Sequence, residues 1–199
     1  MSSVFAPLED TMDDATASVP KCVAMHGRIE LIVGPMFCGK TTELELRMRR
    51  HMHARKRVLL VKYAGDTRYD AALVVTHDQR TAEAHAIVDK LADVVVPDGT
   101  DVILVDEAQF MPDAAAACSA WADAGHIVIV AALDGDFRRQ PFPVTAALIP
   151  LAERVDKRAA VCMRCGEDAH FTYRKGMAGA VELIGGADIY EPRCRACWP

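Results

Sequence analysis

The chain has 199 residues, of which 51% are hydrophobic and 26% charged; this excludes a disordered chain and leaves room for one domain plus at most a small accessory module. A formal net charge of -5 argues against a protein whose main work is neutralising the phosphates of a long nucleic acid. No apolar run approaches the roughly eighteen residues of a membrane helix, so no membrane partner is expected.

Residues 1–26 show neither hydrophobic period and mix Pro7 and Pro20 with Glu9, Asp10, Asp13 and Asp14, the pattern of a solvated tail without an export signal. A cytoplasmic protein is expected. From Arg28, RIELIV forms a short apolar strand closed by Gly34 and Pro35, and KTTELELRMRRHMHA then predicts a helix with Leu44, Met48 and Met52 on its packed face. RVLLVK (Arg57 to Lys62) is a second strand, followed by the polar loop YAGDTRYD. AEAHAIVDKLA predicts a weak helix before Val94 to Val96. DVILVD (Asp101 to Asp106) is another strand, then an Ala-rich helix opened by Pro112, then the strand HIVIVAAL.

Apolar strands without alternation, interleaved with helices, predict an α/β fold with a parallel sheet covered on both faces. That domain spans 27–155. Residues 156–199 change character, with glycines, aromatics and cysteines but no helical period, and read as a separate small module.

GPMFCGKT at Gly34 to Thr41 fits GxxxxGK[ST] and lies between a predicted strand and a predicted helix, the context of a P-loop NTPase. Its glycines let successive amides face phosphate oxygens, and the helix N-terminus adds partial positive charge. Lys40 would reach the β- and γ-phosphates of ATP, and the Thr41 hydroxyl would ligate Mg2+. Cys38 occupies a variable loop position and reads as a space-filling residue, although a helix N-terminus can also activate a thiol.

VILVDEAQF ends a buried strand on Asp106 and Glu107, and ligands of open parallel sheets bind at the carboxyl ends of strands. Asp106 fits the acid that holds the magnesium shell, and Glu107 fits a proton acceptor for an attacking water or hydroxyl; a helix cap is the plainer reading of Glu107.

Cys162 and Cys165 form one CxxC, and Cys194 and Cys197 another, a donor set for a closed, structural Zn2+ site; a redox dithiol is the competing reading. Cys22, Cys38 and Cys118 remain as thiols. Between the knuckles, Phe171, Thr172 and Tyr173 and the stretch Val181 to Gly185 read as a hairpin around MAG, whose aromatics either pack or hold a nucleobase.

Taken together, GPMFCGKTTE, KYAGDTRY, THD, VDEAQF, VIVAALDGDF, PLAE, AVCMRC, VELIGGADIY and CRAC resemble, in order and approximate spacing, the thymidine kinases of the cellular and poxvirus type. The resemblance covers Gly27 to Cys197 and implies a RecA-like P-loop domain carrying a zinc-bound lasso. It further implies transfer of the ATP γ-phosphoryl group to the 5′-hydroxyl of thymidine, and of deoxyuridine with modest discrimination. Glu107 then matches the general base. Gly34, Pro35, Met36, Phe37, Cys38, Gly39, Lys40, Thr41, Thr42, Asp66, Arg68, Asp106 and Gln109 fall in the ATP and Mg2+ set. Met36, Phe110, Leu133, Phe137, Thr172, Val181, Glu182, Leu183, Ile184, Gly185 and Tyr190 fall in the nucleoside set. A homotetramer and feedback inhibition by thymidine triphosphate are likewise implied. Cys38 stands where many relatives have serine.

Two other functions fit parts of the chain: a nucleic-acid-dependent ATPase whose zinc ribbon grips a strand, and a zinc-ribbon regulator with an inactive nucleotide site.

Overall fold

The structure is a computed structural model that describes residues 27–66, 85–176 and 188–199. Its centre is a six-stranded sheet made of β1 (Arg28–Gly34), β2 (Val58–Tyr63), β3 (His85–Val88), β4 (Val102–Asp106), β5 (Ile127–Leu133) and β6 (Arg154–Lys157). The strands lie in the order β3-β2-β4-β5-β1-β6 and every pairing is parallel.

Because successive side chains of a strand point to opposite faces, the continuous apolar runs divide into two cores. Ile29, Leu31 and Val33 of β1 face Ala114 and Cys118 of helix α2 (Ala114–Asp123) and Leu148 of helix α3 (Pro143–Leu148). Ile32 faces the other way, with Leu60, Leu104 and Ile129, against Leu44 and Met48 of helix α1 (Lys40–His53). The four-residue spacing in α1 thus gives the packed face expected, with Met52 at its margin. Truncating Leu44 or Met48 to alanine should cost about 2–5 kcal/mol.

Two stretches differ from the sequence reading. Residues 85–88 form β3, not a helix, and Leu91–Asp93 is a single 3-10 turn. Ala86 and Val88 pack on the core while Ile87 is 49% exposed, a period-two pattern that lets the backbone pair with the otherwise open edge of β2. Tertiary pairing here overrides the helix propensity of alanine. Helix α2 starts at Ala114, past Pro112. The Asp113 carboxylate accepts the amide N–H groups of Leu91 and Ala92 at 3.1 and 2.8 Å, tying that 3-10 turn to the helix start.

Beyond β6 lie two small antiparallel pairs: β7 (Ala160–Val161) with β8 (Asp168–Ala169), and β9 (Phe171–Arg174) with β10 (Tyr190–Arg193). The strand paired with β9 is therefore β10; Val181 to Gly185, expected to complete a hairpin with it, lies outside the described residues.

Candidate active site

The parallel sheet brings the carboxyl ends of β1, β4 and β5 side by side, with Gly34 in register with Leu133. Three loops that carry the expected chemistry meet there.

The loop after β1 turns on two glycines with different reasons. A Cβ on Gly34 would lie 2.6 Å from the Arg158 carbonyl oxygen and 2.8 Å from Cys38 Sγ, so no side chain fits. Gly39, in open space, is required for its φ of 75° as it caps α1. Lys40 is only 8% exposed; its Nζ donates to the Pro35 carbonyl at 2.9 Å, which folds the ammonium back across the loop. Phe37 has φ 67°, a conformation disfavoured for side-chain-bearing residues. Cys38 is buried among Ala160, Cys162 and Ala169, and burial pushes its thiol up from the ordinary value. That environment supports the space-filling reading over an activated thiol.

At the end of β4, the Thr41 hydroxyl donates to Asp106 Oδ2 at 3.1 Å and the Glu107 amide donates to Asp106 Oδ1 at 3.0 Å. Asp106 is 6% exposed, and burial, followed by the Glu107 charge, raises its pKa to about 6 against the smaller pull of Thr41, the Glu107 amide and Lys40. Glu107 adopts a left-handed conformation (φ 56°, ψ 37°), strained for a residue other than glycine by about 1–2 kcal/mol. It stands at the cap position of the 3-10 turn Ala108–Phe110, but its side chain makes no cap hydrogen bond, so capping is not its role. Instead Gln109 Nε2 donates to Glu107 Oε2 at 2.5 Å, while Gln109 Oε1 accepts the Leu133 amide at 2.9 Å. Since Leu133 N–H can only donate, the Gln109 amide has one orientation, and its NH2 group faces Glu107. The Leu133 carbonyl in turn accepts the Thr145 hydroxyl at 2.7 Å.

The expected nucleoside residues are drawn in from the small module and from the turn after β4. Met36 N–H donates to Thr172 Oγ1 at 3.0 Å, joining the phosphate loop to β9. Phe110 stacks on Tyr63, with ring centroids 5.2 Å apart, and meets Phe142 edge-on at 6.1 Å. Phe137 and the buried Tyr190 share one cationic neighbour, Arg174, at 5.2 and 6.0 Å from their ring centroids. Asp66 lies in the turn after β2, its amide bonded to the Tyr63 carbonyl at 3.1 Å. Arg68 and Val181 to Gly185 lie outside the described residues. Tyr63, Phe142 and Arg158 were not expected at the site; only the fold brings them to Phe110 and to the loop.

The four knuckle cysteines converge, with all their Sγ atoms within 4.8 Å of one another and Cys165 and Cys194 3.6 Å apart. Sulfurs about 2.3 Å from a tetrahedral Zn2+ stand roughly 3.8 Å from each other, so the donor set and its spacing fit that ion. Backbone donors, chiefly the Cys194 amide, lower the Cys162 thiol to about 6, whereas hydrogen bonding, first with Cys165, raises Cys197 to about 12. Close sulfurs resist sharing several negative charges, and a central divalent cation removes that restriction.

A six-stranded parallel sheet flanked by helices, with a buried lysine in one strand-loop-helix turn and two carboxylates at the end of β4, defines a protein of the α/β class. The sequence profile described as "Thymidine kinase" matches residues 27–198. The chain belongs to the thymidine kinase family. It is 50% identical over 176 residues to the cytosolic thymidine kinase of Gallus gallus, covering 87% of this chain and 77% of that protein. Against the cytosolic thymidine kinase of Homo sapiens it is 48% identical, covering 87% and 74%. Against the thymidine kinase of Raccoon poxvirus it is 45% identical, covering 86% and 97%. Family membership sets aside the nucleic-acid-dependent ATPase. Among the described residues no helix is long and apolar enough to cross a membrane.

Proposed function

We propose that the protein is an ATP-dependent nucleoside kinase that moves the γ-phosphoryl group of ATP to the 5′-hydroxyl of thymidine, giving thymidine monophosphate and ADP. The observation that carries this reading is the Glu107 carboxylate held by Gln109 beside the phosphate loop, at the carboxyl ends of β4 and β5.

In this reading Glu107 accepts the 5′-hydroxyl proton as that oxygen bonds to phosphorus and the β–γ bridging oxygen leaves with ADP. The amides from Phe37 through Thr42 would cradle the phosphates, and Lys40 leaves the Pro35 carbonyl to meet the β- and γ-phosphates. Thr41 and Asp106 would hold Mg2+, which supplies positive charge between the phosphates being separated. Asp66 and Arg68 complete the cationic and orienting groups. Met36, Phe110, Leu133, Phe137, Thr172, Val181 to Gly185 and Tyr190 enclose the nucleoside. Hydrogen bonds to a pyrimidine edge reject purines strongly, whereas one methyl group is worth only about 1–3 kcal/mol, so deoxyuridine is also used. Cys162, Cys165, Cys194 and Cys197 would hold a structural Zn2+. A homotetramer, inhibition by thymidine triphosphate and a cytosolic location complete the reading, the last in keeping with the names of the animal relatives.

Thymidine-dependent ADP formation, with Glu107→Gln as the variant and deoxycytidine as control, tests the assignment. Activity that needs thymidine and collapses in the variant supports it. ADP formed equally without a nucleoside overturns it in favour of a hydrolase.

A further inference from the structure

Directly after β6, Arg158 is built against the phosphate loop at both its backbone and its side chain. Its amide donates to the Val33 carbonyl at 2.8 Å, and its own carbonyl occupies the space a side chain on Gly34 would need. The guanidinium then crosses the loop: Nε donates to the Cys38 carbonyl at 3.1 Å and NH1 donates to Glu43 Oε2 at 2.9 Å. Glu43 is itself fixed by Arg47 Nε at 3.0 Å, and Arg47 also bonds Glu30 and Asp156. The guanidinium is therefore an anchored fork, although its side chain keeps 39% of its surface in solvent.

In a trans peptide the carbonyl of one residue and the amide N–H of the next point in opposite directions. With the Cys38 oxygen held by Arg158, the Gly39 N–H points the opposite way, away from the guanidinium. This peptide needs such a restraint, because it ends on a glycine at φ 75° with nothing within 4 Å of a would-be Cβ. Side-chain packing does not stop it from rotating.

We propose that Arg158 is a positioning residue of the phosphate loop, holding the Cys38–Gly39 peptide so that the Gly39 amide faces the bound nucleotide. The proposal rests on the reading of this loop as the ATP cradle. No part of the phosphate-loop pattern predicts it, since the arginine stands 120 positions downstream of Cys38.

ADP binding to the full chain, measured by calorimetry without nucleoside, gives the direct test. Arg158→Met, which keeps the aliphatic stem and removes the fork, should weaken ADP binding roughly tenfold and raise the KM for ATP in parallel. The KM for thymidine and the melting temperature should stay near the wild type. Arg158→Lys keeps the charge but cannot serve both acceptors, so it should still weaken binding several-fold; it also carries the test if the methionine variant folds poorly. At about 0.5 M salt, where long-range attraction is screened, both losses should persist. Losses that vanish in salt, or a lowered melting temperature with unchanged ADP affinity, overturn the proposal. Wild-type protein that binds no ADP overturns the ATP-site reading and this proposal with it, whereas wild-type binding with an unaltered Arg158→Met constant overturns this proposal alone.

Discussion

Gln109 holds Glu107 by clamping it to a different strand: one end of its amide touches the Glu107 carboxylate at 2.5 Å and the other is fixed by the Leu133 amide at the end of β5. Glu107, the proposed general base, thereby acquires the rigidity of the central sheet despite standing on a turn with strained backbone. Gln109→Leu should leave the KM for ATP nearly unchanged and lower kcat roughly 10- to 100-fold, because a misplaced base loses alignment. Steady-state kinetics with each substrate varied in turn would check the split.

Asp106 carries a stability cost that depends on pH. Its folded pKa of about 6 lies above the ordinary 3.8, so between those values the folded protein binds more protons than the unfolded one. Stability from this group is therefore highest below the lower value, falls as pH rises through the window, and stays low above it, by about 3 kcal/mol. Asp106→Asn removes that cost: at pH 8 without Mg2+ it should melt several degrees above the wild type, with the gap closing toward pH 4. It should also lose nearly all kinase activity. Thermal melts across pH would reveal the crossing, and equal melting points at pH 8 would refute the burial argument.

Zinc should be present at one ion per chain and vanish in Cys194→Ser, as metal analysis of the purified protein would establish. The consequence should be local. Amides of β7 to β10 would lose hydrogen-exchange protection, while β1, β4 and β5, buried on both faces, would keep theirs.

Cys38 should resist alkylation in the folded protein at neutral pH, since it is 6% exposed and its thiol is pushed up by burial. Cys38→Ser should retain kcat/KM within about threefold and cost about 1 kcal/mol of stability, through a hydroxyl placed among apolar neighbours. Rapid loss of activity with iodoacetamide, prevented in the serine variant, would contradict this.

What the sequence makes legible are features whose chemistry is local: eight consecutive loop residues, two adjacent acids and two CxxC knuckles. The strands of the core could be read from runs such as IVIVAAL because burial on both faces leaves them apolar throughout. β3 could not, since AIV beside alanines and a lysine is decided by the open edge of β2 and not by its own propensity. The left-handed turn at Glu107 is equally silent, as nothing in DEAQ announces it. Tyr63 and Phe142 reach Phe110, and Arg158 reaches Cys38, only through strand order, which links positions far apart in the chain.

The burial of Cys38 among Ala160, Cys162 and Ala169 means that the loop after β1 and the first CxxC knuckle share a single wall. Volume at that wall is a joint property: a larger side chain at 38 has room only if 160 or 169 becomes smaller, and both of the latter are already alanine. A library randomising 38 and 160 together should therefore yield active clones confined to small pairs such as alanine, serine, cysteine and glycine. Grafting this phosphate loop onto a relative would have to carry the facing residues with it.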